Sequence, residues 1–425
     1  MLLVFLIILC ILGMPIGFAL GISSTIYYFI FLFPDVPISI IPQRMCNGLD
    51  KFPLLALPFY IFAGVLMNNV GATERIFTFC NNLIGHIKGG LGQVNILASI
   101  IFSGMSGATV ADAAGLGVIE IKAMTDAGYD RGFSSAITAA SAIIGPIIPP
   151  SVIMIIFAVL VDVSIAKMFV AGIVPGLLMG ASMMIWVYFV AVRGKEKLPT
   201  QKRAPMRKII VSFFHGFLSL ITPLIIVGSI LSGIITPTEA GAIAVAYSIL
   251  LGICYKTLNL KIFLSALKDS VEITVATIFV ITGAFIFGWI IALSQFPSIF
   301  IQNLMSLTNS PTLILMLYCL GLIFLGCFMS TIEIVVIISP VMIELAGTLN
   351  LDLVYFGVAS ICFIELGTIT PPVGSTLYAV TKVSGLEFET VARKTVQFYP
   401  AIIFVASVAM FYPPIVSFLP KLFGW

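Results

Sequence analysis

The chain has 425 residues, of which 60% are hydrophobic and 9% are charged. Soluble domains carry about 25% charged residues, so this composition excludes a water-soluble protein and predicts an integral membrane protein surrounded by lipid. The net charge of +3 is too small to indicate a nucleic-acid partner.

Apolar runs follow one another along the chain and predict an all-α fold. They cover residues 2–33, 53–70, 92–121, 132–160, 165–192, 213–232, 237–255, 271–295, 311–345, 354–381 and 396–419. The first run is expected to break near Gly13-Met14-Pro15. Segments 36–51, 73–88 and 256–269 mix charged and apolar residues, which is typical of amphipathic helices or arms at the membrane interface.

Two of the runs, 92–121 and 311–345, are longer than the roughly 20 residues that one span requires, and small residues interrupt them. We interpret each as a re-entrant helical hairpin that enters and leaves the membrane on the same side. Each is followed by a run with an internal Gly/Pro break. Runs 132–160 and 354–381 are therefore predicted to be broken helices.

A basic segment divides the chain into two halves. Seven of the 21 Lys and Arg residues fall within 193–208, together with Pro199 and Pro205. Positive charge favours the cytoplasmic side of the membrane, so this segment is predicted to be a cytoplasmic linker. It joins a first half, 1–192, to a second half, 209–425. An odd number of crossings in each half would invert the halves and place both termini outside.

The two halves repeat at one offset of 222 positions. Pro15 falls on Pro237, Gly104 on Gly326, Asp130 on Asp352, Gly145 on Gly367, and Pro149-Pro150 on Pro371-Pro372. Chance would rarely give this set of matches at a single offset. The pattern predicts a transporter built from two structural repeats.

Each half carries the same two breaks. The hairpins are interrupted at Ser103–Gly107 and Gly326–Thr331, and the following helices at Gly145–Ser151 and Gly367–Pro372. Proline ends a helix and leaves carbonyl oxygens without partners, which is tolerated at membrane depth only beside a cavity or inside protein. Carbonyl and hydroxyl oxygens suit a small cation, and half-helix N-termini suit an anion.

Simpler interpretations stay open for several residues. A lone proline kink can be purely structural, although two paired breaks in register weigh against this. Asp112 is expected on one helix face with Ser106 and Thr109. Asp112 and Glu365 are either functional intramembrane acids or, in a shallow hairpin, hydrated or capping groups. Thr236–Glu239 is typical of a helix start with a capping box.

One enzyme motif is present. Gly104–Gly107 has the form G-x-S-G found in rhomboid-type intramembrane serine proteases, and His86 offers a base. However, His86 precedes the serine, which reverses the rhomboid order, and it lies in an interfacial segment. We therefore predict no enzyme activity. The seven cysteines form no C-x-x-C pair and are expected to be small buried residues.

The motifs resemble the DctM-like large membrane subunit of TRAP (tripartite ATP-independent periplasmic) transporters. The resemblance covers nearly the whole chain and is carried by Ser103–Asp112, Gly145–Ser151, Ile235–Gly241 and Thr368–Gly374. It implies an elevator-type fold with two inverted repeats. It also implies Na+-coupled uptake of an organic acid anion, such as a C4-dicarboxylate or sialic acid, without ATP.

The resemblance also implies site residues. The first sodium site would use Ser103, Ser106, Gly145 and Pro146, and the second Gly326, Met329, Gly367 and Thr368. Candidate substrate residues beside them are Gly107, Thr109, Asp112, Pro149, Pro150, Ser151, Pro371 and Pro372.

Two protein partners are implied as well: a small four-helix membrane subunit (DctQ-like) and a periplasmic substrate-binding protein (DctP-like). The expected location is the cytoplasmic (inner) membrane of a bacterium or archaeon, as a multi-pass protein. The alternative is a stand-alone sodium- or proton-coupled anion carrier that needs no partner.

Overall fold

The computed structural model describes residues 1–107, 109–194, 196, 198–308 and 310–425, without the side chains of residues 106, 110, 111 and 114. In this part of the chain every regular element is helical, and no strand occurs. Seven helical segments among the described residues are long and apolar enough to cross a membrane. The predicted all-α membrane fold is therefore confirmed.

The helices divide between the two halves of the sequence. The first half contains α1 (Leu2–Ile11), α2 (Ile16–Phe31), α3 (Ile40–Leu49), a 3-10 helix (Phe52–Leu55), α4 (Ala56–Asn69), α5 (Ala72–Ile84), α6 (Gly90–Ser106), α7 (Thr109–Asp126), α8 (Arg131–Ala142), α9 (Val152–Val161) and α10 (Ile165–Arg193). The second half contains α11 (Met206–Leu231), α12 (Pro237–Cys254), α13 (Leu260–Leu293), α14 (Phe296–Leu307), α15 (Pro311–Gly326), α16 (Thr331–Leu349), α17 (Leu353–Thr368), α18 (Ser375–Ser384), α19 (Phe388–Thr395), a 3-10 helix (Val396–Phe398), α20 (Tyr399–Phe411) and α21 (Pro414–Leu422).

Helices of the two halves correspond in order at the offset of 222 positions. For example, α7 corresponds to α16, α8 to α17 and α9 to α18. Their caps correspond too: Asp130 accepts a hydrogen bond from Phe133 N, and Asp352 accepts one from Tyr355 N. Packing is exchanged between the halves, since α2 contacts α13 while α4 contacts α12, and α7 contacts α18 while α16 contacts α9. This correspondence supports the repeat; the opposite orientation of the halves stays a prediction.

Two groups of helices can be distinguished by their contacts. We call α6–α9 and α15–α18, which contain the predicted hairpins and broken helices, the core group. The outer group is α2, α4, α12 and α13, which pack closely on one another. At Gly17 of α2, an added Cβ would lie 2.6 Å from a ring carbon of Phe279 in α13, so glycine permits this close contact.

The helix bounds and caps confirm two local predictions. The break near Gly13 is confirmed because α1 ends at Ile11 and α2 begins at Ile16. The capping box is confirmed as well, with Thr236 N donating to Glu239 Oε2 at 2.7 Å and Glu239 N to Thr236 Oγ1 at 3.3 Å.

Three expectations were wrong in detail. Segment 256–269 does not form a helix of its own, because most of it is the start of the continuous helix α13; its place at the membrane interface stays a prediction. Residues 206–208 of the predicted linker already belong to α11. Ser106, Thr109 and Asp112 do not share a helix face, because α6 ends at Ser106 and α7 begins at Thr109.

Candidate functional site

The first broken helix is interrupted between Ala142, where α8 ends, and Val152, where α9 begins. The Pro149-Pro150 peptide in this segment is cis, and both prolines are buried. Ser151 caps α9, since its Oγ accepts from Met154 N at 3.2 Å and donates to the Pro146 carbonyl at 2.6 Å. We call residues 143–151 the first break.

The tip of the first hairpin, Ser103–Gly107, lies against the first break. Val152 N donates to the Gly107 carbonyl at 3.3 Å. Gly107 has a φ of +63°, and an added Cβ there would collide with the Pro150 carbonyl, so both conformation and space require glycine. The Asp112 carboxylate approaches the same break, because a Cβ on Gly145 would lie 2.5 Å from Asp112 Oδ2.

The residues predicted for the first sodium site are only partly brought together. Gly145 and Pro146 lie in the first break. Ser103 is fully buried, and its hydroxyl donates to the Ser99 carbonyl of its own helix at 2.6 Å. The Ser106 side chain is outside the described part. Gly104, next to Ser103, faces Pro223 of α11 rather than the break.

The second broken helix is interrupted between Thr368, where α17 ends, and Ser375, where α18 begins. Here the tip of the second hairpin, residues 326–330, meets the broken helix through backbone atoms. An added Cβ on either Gly326 or Gly367 would lie 2.6 Å from the Cα of the other. Val373 N and Gly374 N both donate to the Cys327 carbonyl at 3.0 Å. We call residues 367–374, the last two residues of α17 and the segment that follows, the second break; its Pro371-Pro372 peptide is also cis, but these prolines are exposed.

The expectation that the breaks leave their carbonyls without partners is wrong for several of them. Thr370 N donates to the Gly367 carbonyl at 2.8 Å, and the Tyr399 hydroxyl donates to the Ile369 carbonyl at 2.9 Å. Each of these oxygens keeps a second lone pair that a cation can use. Met329, also predicted for the second sodium site, is partly buried at the tip and donates its N–H to the Leu325 carbonyl at 3.0 Å.

A buried carboxylate connects the two hairpins. Glu365, in the last turn of α17, is 0% exposed. Thr109 Oγ1 donates to its Oε2 at 2.8 Å, and Thr331 Oγ1 donates to its Oε1 at 2.6 Å. Thr368 Oγ1 donates to the Glu365 carbonyl at 2.8 Å and accepts from Thr376 Oγ1 at 3.1 Å. We call this set the Glu365 cluster.

Sequence reasoning singled out Glu365, Thr109 and Thr368 but missed Thr331 and Thr376. One signal was available, because Thr109 and Thr331 are equivalent at the 222-residue offset. The convergence of both threonines on one carboxylate could not be inferred, since it depends on how the halves pack.

A second polar network lies wholly inside the first half and was also missed. Asn95 Nδ2 donates to Glu120 Oε2 at 2.7 Å and to Thr138 Oγ1 at 2.8 Å. Ser141 Oγ donates to Asn95 Oδ1 at 2.7 Å, and Ser99 Oγ donates to Ser141 Oγ at 3.0 Å. All five residues are buried. We call this set the Glu120 network; through Ser99 it reaches Ser103.

Comparisons with known proteins agree with this architecture. A family model described as "Tripartite ATP-independent periplasmic transporter, DctM component" matches residues 3–415. The solved structure of the Alcanivorax borkumensis YdaH transporter, described as having an unusual topology, superposes with a TM-score of 0.66. It covers 93% of this chain and 90% of that chain at 14% identity, which shows the fold alone.

Similar sequences are transporter permeases and not enzymes. The sialic acid TRAP transporter large permease protein SiaM of Vibrio cholerae is 41% identical, over 97% of this chain and 96% of that protein. The sialic acid TRAP transporter permease protein SiaT of Haemophilus influenzae is 40% identical, over 99% of this chain and 68% of that protein. The C4-dicarboxylate TRAP transporter large permease protein DctM of Pseudomonas aeruginosa is 31% identical, over 96% and 94%.

The family model and the similar permeases match nearly the whole chain, and the helical core group agrees with them. The chain belongs to the DctM family of large permease components of tripartite ATP-independent periplasmic transporters, which are multi-pass proteins of the bacterial inner membrane.

Proposed function

We propose that this protein couples the uptake of an organic acid anion to sodium, with the anion delivered by a periplasmic binding protein. One observation carries the proposal: in each half, the tip of a hairpin meets a proline-broken helix through backbone contacts. Val152 N donates to Gly107 O in the first half, and Gly374 N donates to Cys327 O in the second. Paired breaks of this kind supply carbonyls for cations and helix N-termini for an anion.

The distribution of charge favours a bound cation. No Lys or Arg occurs in 89–121, 132–166 or 269–381, the segments that contain both tips and both breaks. No side chain of these segments can therefore supply positive charge near the breaks. The same segments contain the buried acids Asp112 and Glu365. Buried carboxylates and carbonyl oxygens attract a small cation, and sodium is the proposed ion.

The substrate class follows from the relatives and from the chemistry of the breaks. Two relatives of 40–41% identity are named for sialic acid, and one of 31% for C4-dicarboxylates. Both substrates are carboxylate anions. Sialic acid is the first candidate, because the relatives named for it are more similar to this chain than the one named for C4-dicarboxylates. Helices α9 and α18 begin at the breaks, and their N-termini are suited to receive a carboxylate.

The tripartite family description implies two partners for this chain: a small four-helix membrane subunit and a soluble periplasmic binding protein. We propose that the outer group forms a scaffold together with the small subunit. The core group would then carry substrate and sodium across the membrane in an elevator movement. This division places both breaks on the moving part.

The test is uptake into proteoliposomes that contain this chain and its small subunit, with the binding protein added outside. An inward sodium gradient should drive uptake of labelled sialic acid, and replacement of sodium by potassium should abolish it. Uptake of a C4-dicarboxylate but not sialic acid would correct the substrate. Full uptake by the chain alone, without either partner, would favour the stand-alone carrier.

A further inference from the structure

We propose that Glu365 couples the two predicted sodium sites, so that a cation bound at one tip strengthens binding at the other. The inference rests on the proposed function, because it assumes that both tips take up sodium. The two halves are in direct contact at this carboxylate, since Thr109 and Glu365 are 256 positions apart and hydrogen-bonded at 2.8 Å.

The carboxylate of Glu365 is shared by equivalent positions of the two repeats. Thr109 is the first residue of α7, directly after the first tip, and Thr331 is the first residue of α16, directly after the second. Each donates its hydroxyl to a different oxygen of Glu365, at 2.8 and 2.6 Å. A displacement of either tip therefore moves a hydrogen-bond donor of the same carboxylate.

The position of Glu365 also explains how a fully buried acid is tolerated in segments that lack Lys and Arg. Two helices begin at its hydroxyl partners, and the N-terminal end of a helix favours a nearby negative charge. The hydrogen bonds from Thr109 and Thr331 stabilise the charge further. Both stabilising interactions come from the residues after the tips. The stability of the negative charge on Glu365 therefore depends on the position of each hairpin.

Thr368 connects Glu365 to the second site, mainly through the Glu365 main-chain carbonyl. Its hydroxyl donates to the Glu365 carbonyl at 2.8 Å and lies 3.5 Å from Oε2. A hydroxyl that coordinates a cation must direct its proton away from the ion, and Glu365 provides the acceptor on that side. The main-chain carbonyl of Glu365 therefore takes the proton of a predicted sodium ligand, while its carboxylate accepts from Thr109 at the start of α7, the second helix of the other hairpin. We infer that Glu365 acts as a positioning residue between the sites.

The experiment is equilibrium binding of radioactive sodium to the purified chain with its small subunit, in detergent. The unchanged protein should bind two ions with a Hill coefficient of about 1.4 or higher, which corresponds to a coupling factor of about fivefold between two sites. In Glu365→Gln, one acceptor oxygen becomes an amide NH2 donor, so one threonine can no longer donate to this side chain and must turn its proton elsewhere. This variant should still bind two ions, with a Hill coefficient of about 1.

Matched variants separate coupling from general damage to the core. Glu120→Gln removes another fully buried carboxylate, whose partners Asn95 and Thr138 lie in its own half. It should keep the Hill coefficient of the unchanged protein. Thr331→Val should lower the coefficient as Glu365→Gln does, and Thr331→Ser, which keeps the hydroxyl, should restore it. The Thr331 variants also test the inference if Glu365→Gln fails to fold.

Each contrary result has a distinct meaning. An unchanged Hill coefficient in Glu365→Gln, or a coefficient of about 1 in the unchanged protein, would overturn the coupling while leaving sodium dependence intact. Loss of one bound ion in Glu365→Gln would make Glu365 a sodium ligand and overturn its positioning role. Absence of any sodium binding, together with sodium-independent uptake, would overturn the proposed function itself.

Discussion

The first break and the second break interrupt equivalent helices, yet they bury different groups. At the first break Gly145 faces the Asp112 carboxylate, and the adjacent Pro149 is buried. At the second break Gly367 faces the backbone of Gly326, and Pro371 is exposed. The helices thus stop at equivalent positions of the 222-residue offset, which glycine and proline determine, while the side chains around each stop differ. Equivalent positions therefore need not perform equivalent tasks.

The surroundings of the two breaks differ in the same way. Most of the Glu120 network has no polar equivalent in the second half at the 222-residue offset, since Leu317 and Met342 stand at the positions of Asn95 and Glu120, whereas Ser360 stands at the position of Thr138. One polar contact is kept there: the hydroxyls of Tyr318 and Ser360 lie 3.0 Å apart. Polar side chains therefore support the two breaks differently: the Glu120 network stays within the first half, whereas the Glu365 cluster beside the second break also reaches Thr109 of the first half.

The largest effect should come from closing the space at the second break. In Gly367→Ala, the new Cβ would lie 2.6 Å from the Gly326 Cα, and backbone cannot move aside as a flexible side chain can. We expect loss of uptake and a stability loss of about 1–3 kcal/mol, typical of overpacked interiors. Uptake in proteoliposomes and thermal unfolding in detergent measure the two effects.

Gly321→Ala is the matched control for this substitution. Gly321 lies on α15, the helix that ends at Gly326, and an added Cβ there meets nothing within 4 Å. Since alanine favours a helix over glycine by roughly 1 kcal/mol, the control should leave stability equal or slightly higher. Equal tolerance of both substitutions would show that the contact between tip and break is not required.

Substitution of the prolines should impair uptake less completely than Gly367→Ala does. Pro149→Ala and Pro371→Ala each allow the helix to extend into the break and withdraw carbonyls from the predicted sites. Because Pro149 is buried and Pro371 is exposed, we expect the larger loss of sodium-dependent uptake from Pro149→Ala. Unchanged sodium dependence in both variants, normalised to protein in the membrane, would make the breaks structural kinks.

The sequence was sufficient for the positions of these breaks, because proline and glycine act locally on the backbone. The offset of 222 residues likewise predicted which helices would correspond. What could not be predicted is the contact between halves: the Glu365 cluster joins residues 109 and 365, and nothing local brings them together. The Glu120 network escaped notice because Asn95, Thr138 and Ser141 look like isolated polar residues in apolar runs.

The Glu120 network offers a third test, at the level of stability. Asn95→Leu introduces the residue of the second half and removes the donor to Glu120 Oε2. Glu120 Oε2 would keep only the 3.4 Å hydrogen bond from Thr138, and Ser141 would lose its Asn95 acceptor, which should cost about 1–3 kcal/mol, seen as a lower melting temperature. The double variant Asn95→Leu, Glu120→Met reproduces the apolar pair of the second half and should recover most of this loss. If the double variant is no more stable than the single one, the network is not the cause.

Removal of single hydroxyls should produce smaller effects, on sodium affinity. Thr368→Val keeps the shape of the side chain but removes the predicted ligand oxygen. Loss of about 1–3 kcal/mol would weaken apparent sodium affinity roughly five- to 150-fold. Ser103→Ala should have less effect than Thr368→Val, because the Ser103 hydroxyl already donates to its own helix. Thr348→Val, at an exposed hydroxyl of α16 that also bonds its own helix, is the control.

The smallest effect should come from Thr376→Val, one step behind the predicted ligand. Thr376 Oγ1 donates to Thr368 Oγ1 at 3.1 Å, so it helps to fix the lone pair that Thr368 presents to a cation. The equivalent position in the first half is Met154, which has no hydroxyl, so this support belongs to the second half only. Loss of one hydrogen bond with a net contribution of about 0.5–1.5 kcal/mol corresponds to a loss of sodium affinity of roughly two- to tenfold.

Sodium titration of uptake measures this loss of affinity. In a variant that also carries Thr368→Val, Thr376→Val should have no further effect. An additive loss in that double variant would show that Thr376 acts on substrate or stability rather than through Thr368.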